Sequence, residues 1–322
     1  MRPGGCCGSV VGVDVWSVRG DGDGWVHCAD GQRRWGRFGA AGLLLRAPGP
    51  GGEPVLLLQH RAAWTHCGDC WGLPGGARHS SESAAEAAVR EAGEEAGIDP
   101  VHIRVVGERA AYPASDTWSF TTVLADAVEP LPVKANQESA ELRWVGESEV
   151  VGLDLHPALS ASWPILRTRP VTLVVDAANV VGSVPDGWWR DRAGAAERLL
   201  RRLAATLPCT LVLPDGYGWA RRCIAVLEGK ASAAPDVPGV HVVRAPGSGD
   251  DTIVQVVRAE PDCVVVTADR GLRARLPTDT GTTARDPSVS GPSVRGPSVS
   301  GPSVLGPSAL LTRLASMHEQ QS

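Results

Sequence analysis

The sequence predicts an α/β protein made of two successive domains. Three observations carry this. The chain has 322 residues, enough for two sizeable cores. Its first half arranges apolar strand-like runs around one alanine-rich helix. Its second half alternates apolar runs with helical ones, the signature of a parallel sheet.

Composition narrows the classes. A hydrophobic fraction of 43% and a charged fraction of 21% are ordinary for a soluble globular protein. The net charge of -5 is too mild to point to nucleic acid or a membrane surface. No run approaches the roughly 18 apolar residues of a membrane span, and the N-terminus MRPGGCCGSVVGVDVW lacks the apolar core of a signal peptide. The expectation is a cytoplasmic protein with no membrane partner, its eight cysteines reduced. The sequence leaves a homo-oligomer open.

Residues 1–13 read as a loose tail. From Gly39 to Gln59 two apolar strands flank a Gly/Pro turn. A helix follows, then strand-like runs at HIRVVGERAAY, WSFTTVLADAV and AELRWV, and a short helix in LHPALSASWPILRTRP. The boundary falls near residue 169, with a first domain over 14–168 and a second over 170–285. The second offers strands at VTLVVDAANVV, CTLVLPDG, VHVVRA and DCVVVTADRG, and helices at DRAGAAERLLRRLAATL and DDTIVQVVRA. Over 286–303 a five-residue Gly-Pro-Ser repeat cannot build a core and reads as a flexible insert. ALLTRLASM then has helical apolar spacing, so 304–317 is expected to return and complete the second domain.

The alanine-rich helix carries the chemistry. Ser83 and Glu86 form a capping-box pair and Gly97 suits the C-terminal cap. At 100° per residue, Ala85, Ala88, Val89, Ala92 and Ala96 share one small-residue face, and Glu91, Glu94 and Glu95 fall together opposite it. Three carboxylates on one wall would suit a hard divalent cation. The plain alternative is a solvated helix with Glu86–Arg90 and Arg90–Glu94 pairs.

The spacing decides between them. Gly76, Glu82, Arg90, Glu91, Glu94, Glu95, Gly97 and Ile98 reproduce the pattern G-x5-E-x7-R-E-U-x-E-E-x-G-U, with Ala92 at the first apolar position. This is the Nudix box, and about residues 14–168 resemble Nudix hydrolases. The resemblance implies an α/β/α sandwich with a mixed sheet. It also implies Mg²⁺- or Mn²⁺-dependent cleavage of the pyrophosphate in a nucleoside diphosphate linked to some group X. Glu91, Glu94 and Glu95 would hold the metals, Gly75 and Gly76 would form the substrate loop, and Arg90 would orient the glutamates. A further base or ligand often comes from a late loop; here Glu138 is the candidate and Glu141 the runner-up, the alternative for Glu138 being an exposed loop glutamate.

Smaller signals sit nearby. His66, Cys67 and Cys70 invite a zinc reading, but no second C-x2-C pair exists and plain thiols are the commoner case. Trp64 and Trp71 flank the approach to the box and could stack a base or belong to the core.

In the second half Asp176, Asp215 and Asp269 each end an apolar run, and Asp250 and Asp251 open a helix. Sites gather at the carboxyl ends of parallel strands, although Asp is also a common turn and cap residue. VVDAANVVGS, PDG, GSGDDTIV and VVTADRGLRARL together resemble the PIN-like NYN family of metal-dependent ribonucleases. The resemblance implies a parallel α/β fold with Asp176, Asn179, Asp250, Asp251 and Asp269 at a metal site, and Asp215 as an extra candidate. Arg198, Arg201 and Arg202 form a basic stripe after Trp188 and Trp189, suited to a nucleic-acid strand or to plain solvent. Two readings follow: a nucleotide pyrophosphohydrolase with an appended RNA-directed domain, or a nucleotide sensor regulating an RNA-binding or RNA-cleaving one.

Overall fold

The computed structural model of the chain describes residues 20–115, 118–277 and 302–315. The expected tail and most of the Gly-Pro-Ser repeat lie outside the described residues. A small hairpin, β1 (Trp25–His27) and β2 (Arg33–Trp35), comes first and is antiparallel. A seven-stranded mixed sheet follows, from β3 (Ala40–Pro48), β4 (Pro54–Arg61), β5 (Trp71–Gly72), β6 (Gly75–Ala77), β7 (Arg104–Ser115), β8 (Trp118–Asp126) and β9 (Ser139–Gly146). Its core order is β5-β4-β3-β8-β7, with β6 on β3 and β9 on β4; only β3 and β8 run parallel.

Helix α1 (Ala84–Ala96) covers one face of this sheet and α2 (Pro157–Leu166) the other. The α1 ends are as its sequence dictates: the capping box of Ser83 and Glu86 is closed in both directions, and Gly97 is left-handed at φ 69°. Its packed stripe is rotated from the expected one. Ala84, Ala87, Ala88, Ala92 and Ala96 are buried against β3, while Ala85 and Val89 are only half-buried.

The second sheet contains β10 (Thr168–Asp176), β11 (Cys209–Leu213), β12 (Gly216–Leu227), β13 (His241–Arg244), β14 (Cys263–Val266) and β15 (Ser303–Leu305). Its order is β11-β12-β10-β14-β15, with β13 on β12. Helices α3 (Ala177–Gly182), α4 (Arg192–Thr206) and α7 (Pro307–Ala315) pack on one face; α5 (Gly249–Ala259) and α6 (Arg270–Arg275) pack on the other. All pairs are parallel except β11–β12, so the expectation of a purely parallel sheet is corrected by an antiparallel edge strand.

Two strands of this second sheet escaped the sequence reading. The GYGWARRCIAVL run of β12 has two glycines and an Arg-Arg pair that break its apolar pattern. The sheet accommodates them with a bulge: Ala220 pairs with Val171 and Arg222 with Thr172, leaving Arg221 unpaired and exposed. The other is β15, drawn from the GPSVL unit at 301–305, which pairs with the open edge of β14. Pro, Gly and Ser have low strand preference, but a free ladder edge supplies hydrogen bonds that local preference cannot.

The two sheets share a buried polar seam. Asp126, at the end of β8, is 1% exposed. It accepts from the Thr210 backbone N–H at 2.8 Å and hydroxyl at 2.7 Å, and from Arg313 of α7. Arg104 stands 3.9 Å away. Glu147 accepts from Arg46 at 3.1 Å and from both the amide and hydroxyl of Thr168. Trp219 donates to the Gly52 carbonyl at 2.9 Å, and Tyr217 lies within the α2-side core of the first sheet.

Candidate active site

The site forms where α1 passes beneath β6. Gly75 lies so close to β3 that an added Cβ would sit 2.3 Å from the Ala41 carbonyl oxygen. That approach aims its N–H at Glu95, whose carboxylate accepts at 2.7 Å. At Gly76 a Cβ would meet Glu91 Oε1 at 2.5 Å, so only glycine leaves that carboxylate its place. Arg90 donates to both oxygens of Glu82 at 2.7 and 3.1 Å, to Glu91 at 2.9 Å, to Glu94 at 3.4 Å and to the Ala77 carbonyl at 3.0 Å. It ties the loop before the helix to the helix itself.

The three glutamates do not form one open wall. Glu95 is 3% exposed, Glu91 is largely covered and Glu94 is turned to solvent beside Arg90. The reason is that β6 and β4 cover the edge of α1 holding positions 91 and 95, spaced one turn apart, and leave position 94 outside. Burial pushes the Glu91 carboxyl up to about 7, partly countered by Arg90. Burial also pushes Glu95 up to about 8, partly countered by the Gly75 N–H. Glu138 is exposed, and its charge raises both, so the loop before β9 brings it to the site. Glu141 instead pairs with Arg143 at 3.6 Å on β9.

These residues fit a hard cation by their chemistry. Burial raises the two deepest carboxyls, Glu91 to about 7 and Glu95 to about 8, so a cation between them would favour their ionised forms, and Gln59 beside Glu95 has a buried Oε1 without a hydrogen-bond partner. As the side chains stand, no three His, Cys, Asp or Glu among the described residues are grouped closely enough to hold an ion.

The raised carboxyls predict a pH response. A group whose folded pKa exceeds its unfolded value stabilises the fold below the unfolded pKa and loses that contribution as pH rises through the folded one. In EDTA the melting temperature is therefore expected to fall between about pH 4.5 and 8 through Glu91 and Glu95. Thermal melts of wild type and a Glu91→Gln, Glu95→Gln double variant check this; parallel pH profiles would remove these two groups as the cause.

A cleft of about 560 Å³ opens onto the loop, bounded by Gly75 and Gly76 at one side and by Trp35, Trp118 and Phe120 at another. The NUDIX domain profile matches residues 36–168. A Mycobacterium tuberculosis protein provisionally named 8-oxo-dGTP diphosphatase 3 is 56% identical over 160 residues, 48% of this chain and 74% of that protein. The chain belongs to the Nudix family. A nucleoside triphosphate pyrophosphatase/Nudix hydrolase fusion protein of Bifidobacterium longum is 43% identical over 163 residues, 48% of this chain and 33% of its own length. The crystal structure of the Nudix hydrolase RenU from M. smegmatis shares 53% identity, with 44% of this chain and 91% of that one covered at a TM-score of 0.41.

Around the Nudix site the other expected residues scatter. Trp71 is core, stacked by His60 and Arg143, and Trp64 is 70% exposed. The cysteine pair gathers no third donor among the described residues: Cys67 is exposed at φ 51°, while Cys70 is buried and donates its S–H to the Cys67 carbonyl. Burial raises the Cys70 thiol, away from the thiolate a metal needs.

In the second sheet Asp176, Asn179, Asp250 and Asp269 gather at the carboxyl ends of the parallel strands. Asp176 accepts from the Asn179 N–H at 3.0 Å and the Thr267 hydroxyl at 2.8 Å, and Asn179 accepts from the Ala268 N–H at 2.7 Å. Burial raises Asp176, helped by Asp250 and Glu228; burial also raises Asp250, helped by Asp269. Arg275 pairs with Asp250 at 3.5 Å and with Asp251. Glu228, just past β12, was missed with its strand; it accepts from the Gly249 N–H at 2.7 Å. Asp215 is corrected outright: it precedes β12 and pairs with Arg169 at 3.6 Å, at the opposite end of the sheet. The basic stripe is partly neutralised, since Arg201 pairs with Glu197, and Arg202 is half-buried. Among the described residues no helix is long and apolar enough to cross a membrane.

Proposed function

We propose that the chain hydrolyses the pyrophosphate linkage of a nucleoside polyphosphate, an oxidised purine nucleotide foremost. The observation that carries this is the buried Glu91–Glu95 pair packed under Gly75 and Gly76, the two glycines that line the cleft. The relative named for 8-oxo-dGTP supports the substrate class. Glu91, Glu95 and, turned inward from Arg90, Glu94 would hold Mg²⁺ or Mn²⁺. When bound, the cation neutralises phosphate charge and lowers the pKa of attacking water. Arg90 holds the carboxylates in place, Glu138 stands ready to accept the proton of that water, and the Gly75–Gly76 strand lets the phosphate chain approach the backbone.

Residues 14–168 are proposed as the hydrolase domain. The second comprises 170–285 with 304–317 returning to it, and is read as PIN-like of the NYN kind. Its Asp176, Asn179, Asp250, Asp269 and Glu228 cluster supports a metal-dependent action on RNA. The test is release of nucleotide products, separated by chromatography, from 8-oxo-dGTP, dGTP, ADP-ribose, a dinucleoside polyphosphate and capped RNA in Mg²⁺. Preference for the oxidised nucleotide is expected, with loss of turnover in EDTA. Release from none of them would end the reading.

A further inference from the structure

The NUDIX profile begins at residue 36, yet residues before it help to build the cleft. The β1–β2 hairpin lies ahead of the matched region and carries Trp35 to the cleft wall. The Trp118 indole N–H donates to the Trp35 carbonyl at 3.1 Å, pinning β2 to β8. Arg34 lies with its guanidinium 5.6 Å from the Trp118 ring centroid, and Asp30 grips it at 2.9 and 2.5 Å. Trp25 meets Trp35 edge to face at 5.4 Å and is itself covered by Arg33 at 4.9 Å.

The hairpin is also stapled to the loop that leads into α1. Asp21 accepts from the Ser80 N–H at 3.0 Å and from its hydroxyl, and the Arg37 N–H donates to the Gly22 carbonyl at 2.8 Å. A Cβ at Gly22 would lie 1.9 Å from the Arg78 carbonyl oxygen. The hairpin therefore sits in a fixed place relative to Glu82 of that loop and to Arg90, which holds Glu82 from α1.

Flat rings held rigidly but left in water are poor use of apolar surface unless something covers them. Trp35 is 37% exposed, and it lines a cleft that is also lined by Gly75 and Gly76, the glycines packed on Glu95 and Glu91. Indole faces backed by guanidinium groups suit a planar, polarisable ring system. We propose that the β1–β2 hairpin is a nucleobase clamp: Trp35, with Trp118 and Phe120 beside it in the cleft lining, takes the base of the nucleotide whose phosphates lie at Gly75, Gly76 and the glutamates. Specificity for the base then resides in a segment outside the shared Nudix fold. This rests on the glutamates being the phosphate end.

Steady-state kinetics on the full chain test it, with purine and pyrimidine nucleoside triphosphates as substrates and inorganic tripolyphosphate as competitor. Trp35→Ala is expected to raise KM about tenfold or more, as loss of one stacking platform should. It should leave kcat within about twofold, flatten the preference among bases and not alter tripolyphosphate inhibition; Trp35→Phe restores KM. Unchanged KM and base preference, or tripolyphosphate inhibition weakened in step with KM, overturns the clamp while hydrolysis stands. If wild type hydrolyses none of these, the functional reading fails separately. Calorimetric binding of dGTP and of tripolyphosphate to wild type and Trp35→Ala then decides the clamp: a selective loss for dGTP supports it, and equal losses or none refute it.

Discussion

Replacing Glu95 by Gln is expected to lower kcat by about 10²–10⁴-fold, the range that a positioned carboxylate contributes as ligand or proton acceptor. The loss should be chemical rather than structural. The amide oxygen of a glutamine at this position can still accept the Gly75 N–H that Glu95 accepts at 2.7 Å, and a neutral amide removes the cost of burying a charge. The metal-free variant should therefore melt no lower than wild type. Glu94→Gln is expected to cost less, because Glu94 is turned to solvent beside Arg90. Single-turnover rates and thermal melts on both variants check the ranking. Full activity in Glu95→Gln would remove α1 from the chemistry, and equal losses would mean that Glu94 swings fully into the site.

Removing residues 302–322 is expected to destabilise the whole chain, not the second sheet alone. Arg313 leaves with α7, and Asp126 then keeps Thr210 but loses its closest cation in a site that is 1% exposed. Stripping one partner from a buried ion pair costs about 3–5 kcal/mol, more than an exposed pair ever contributes. Asp126→Ala should cost a similar amount, since it strands Arg313, whose guanidinium is already pushed down to about 9 by its own burial and then by Arg104 beside it. Exchanging the pair together, Asp126→Leu with Arg313→Leu, should cost clearly less than either single change. A fragment ending at residue 169 would expose Asp126 and lose Trp219 and Tyr217 from its surface, so it is expected to be poorly folded. Urea titrations of these variants check this; a fully stable 1–169 fragment would show that the seam does not matter.

The sequence alone was enough for what depends on local spacing. The capping box and left-handed Gly97 follow from residue types that few other positions tolerate. The Nudix pattern fixed which glutamates lie one turn apart, and the alternating second half implied a sheet with helices on both faces. Glu138 was legible only as a late glutamate, because its reach toward α1 depends on how the loop before β9 folds back. The hairpin at 25–35 was too short and too polar to stand out from an irregular lead-in.

Tertiary structure decided everything that depends on which surface is covered. Helical periodicity assigns angles around an axis, but not which edge a neighbouring strand will bury. Only the crossing of β6 over α1 separates buried Glu91 and Glu95 from exposed Glu94. Asp215 and Asp176 look alike in sequence, each closing an apolar run, yet parallel pairing of β10 with β12 puts them at opposite ends of one sheet. A Gly-Pro-Ser unit becomes β15 because β14 has an open edge, and Asp126 becomes a joint between sheets because Thr210 and Arg313 reach it from far along the chain. Such contacts are made between segments that carry no mark of each other, and only the folded chain brings them within hydrogen-bonding distance.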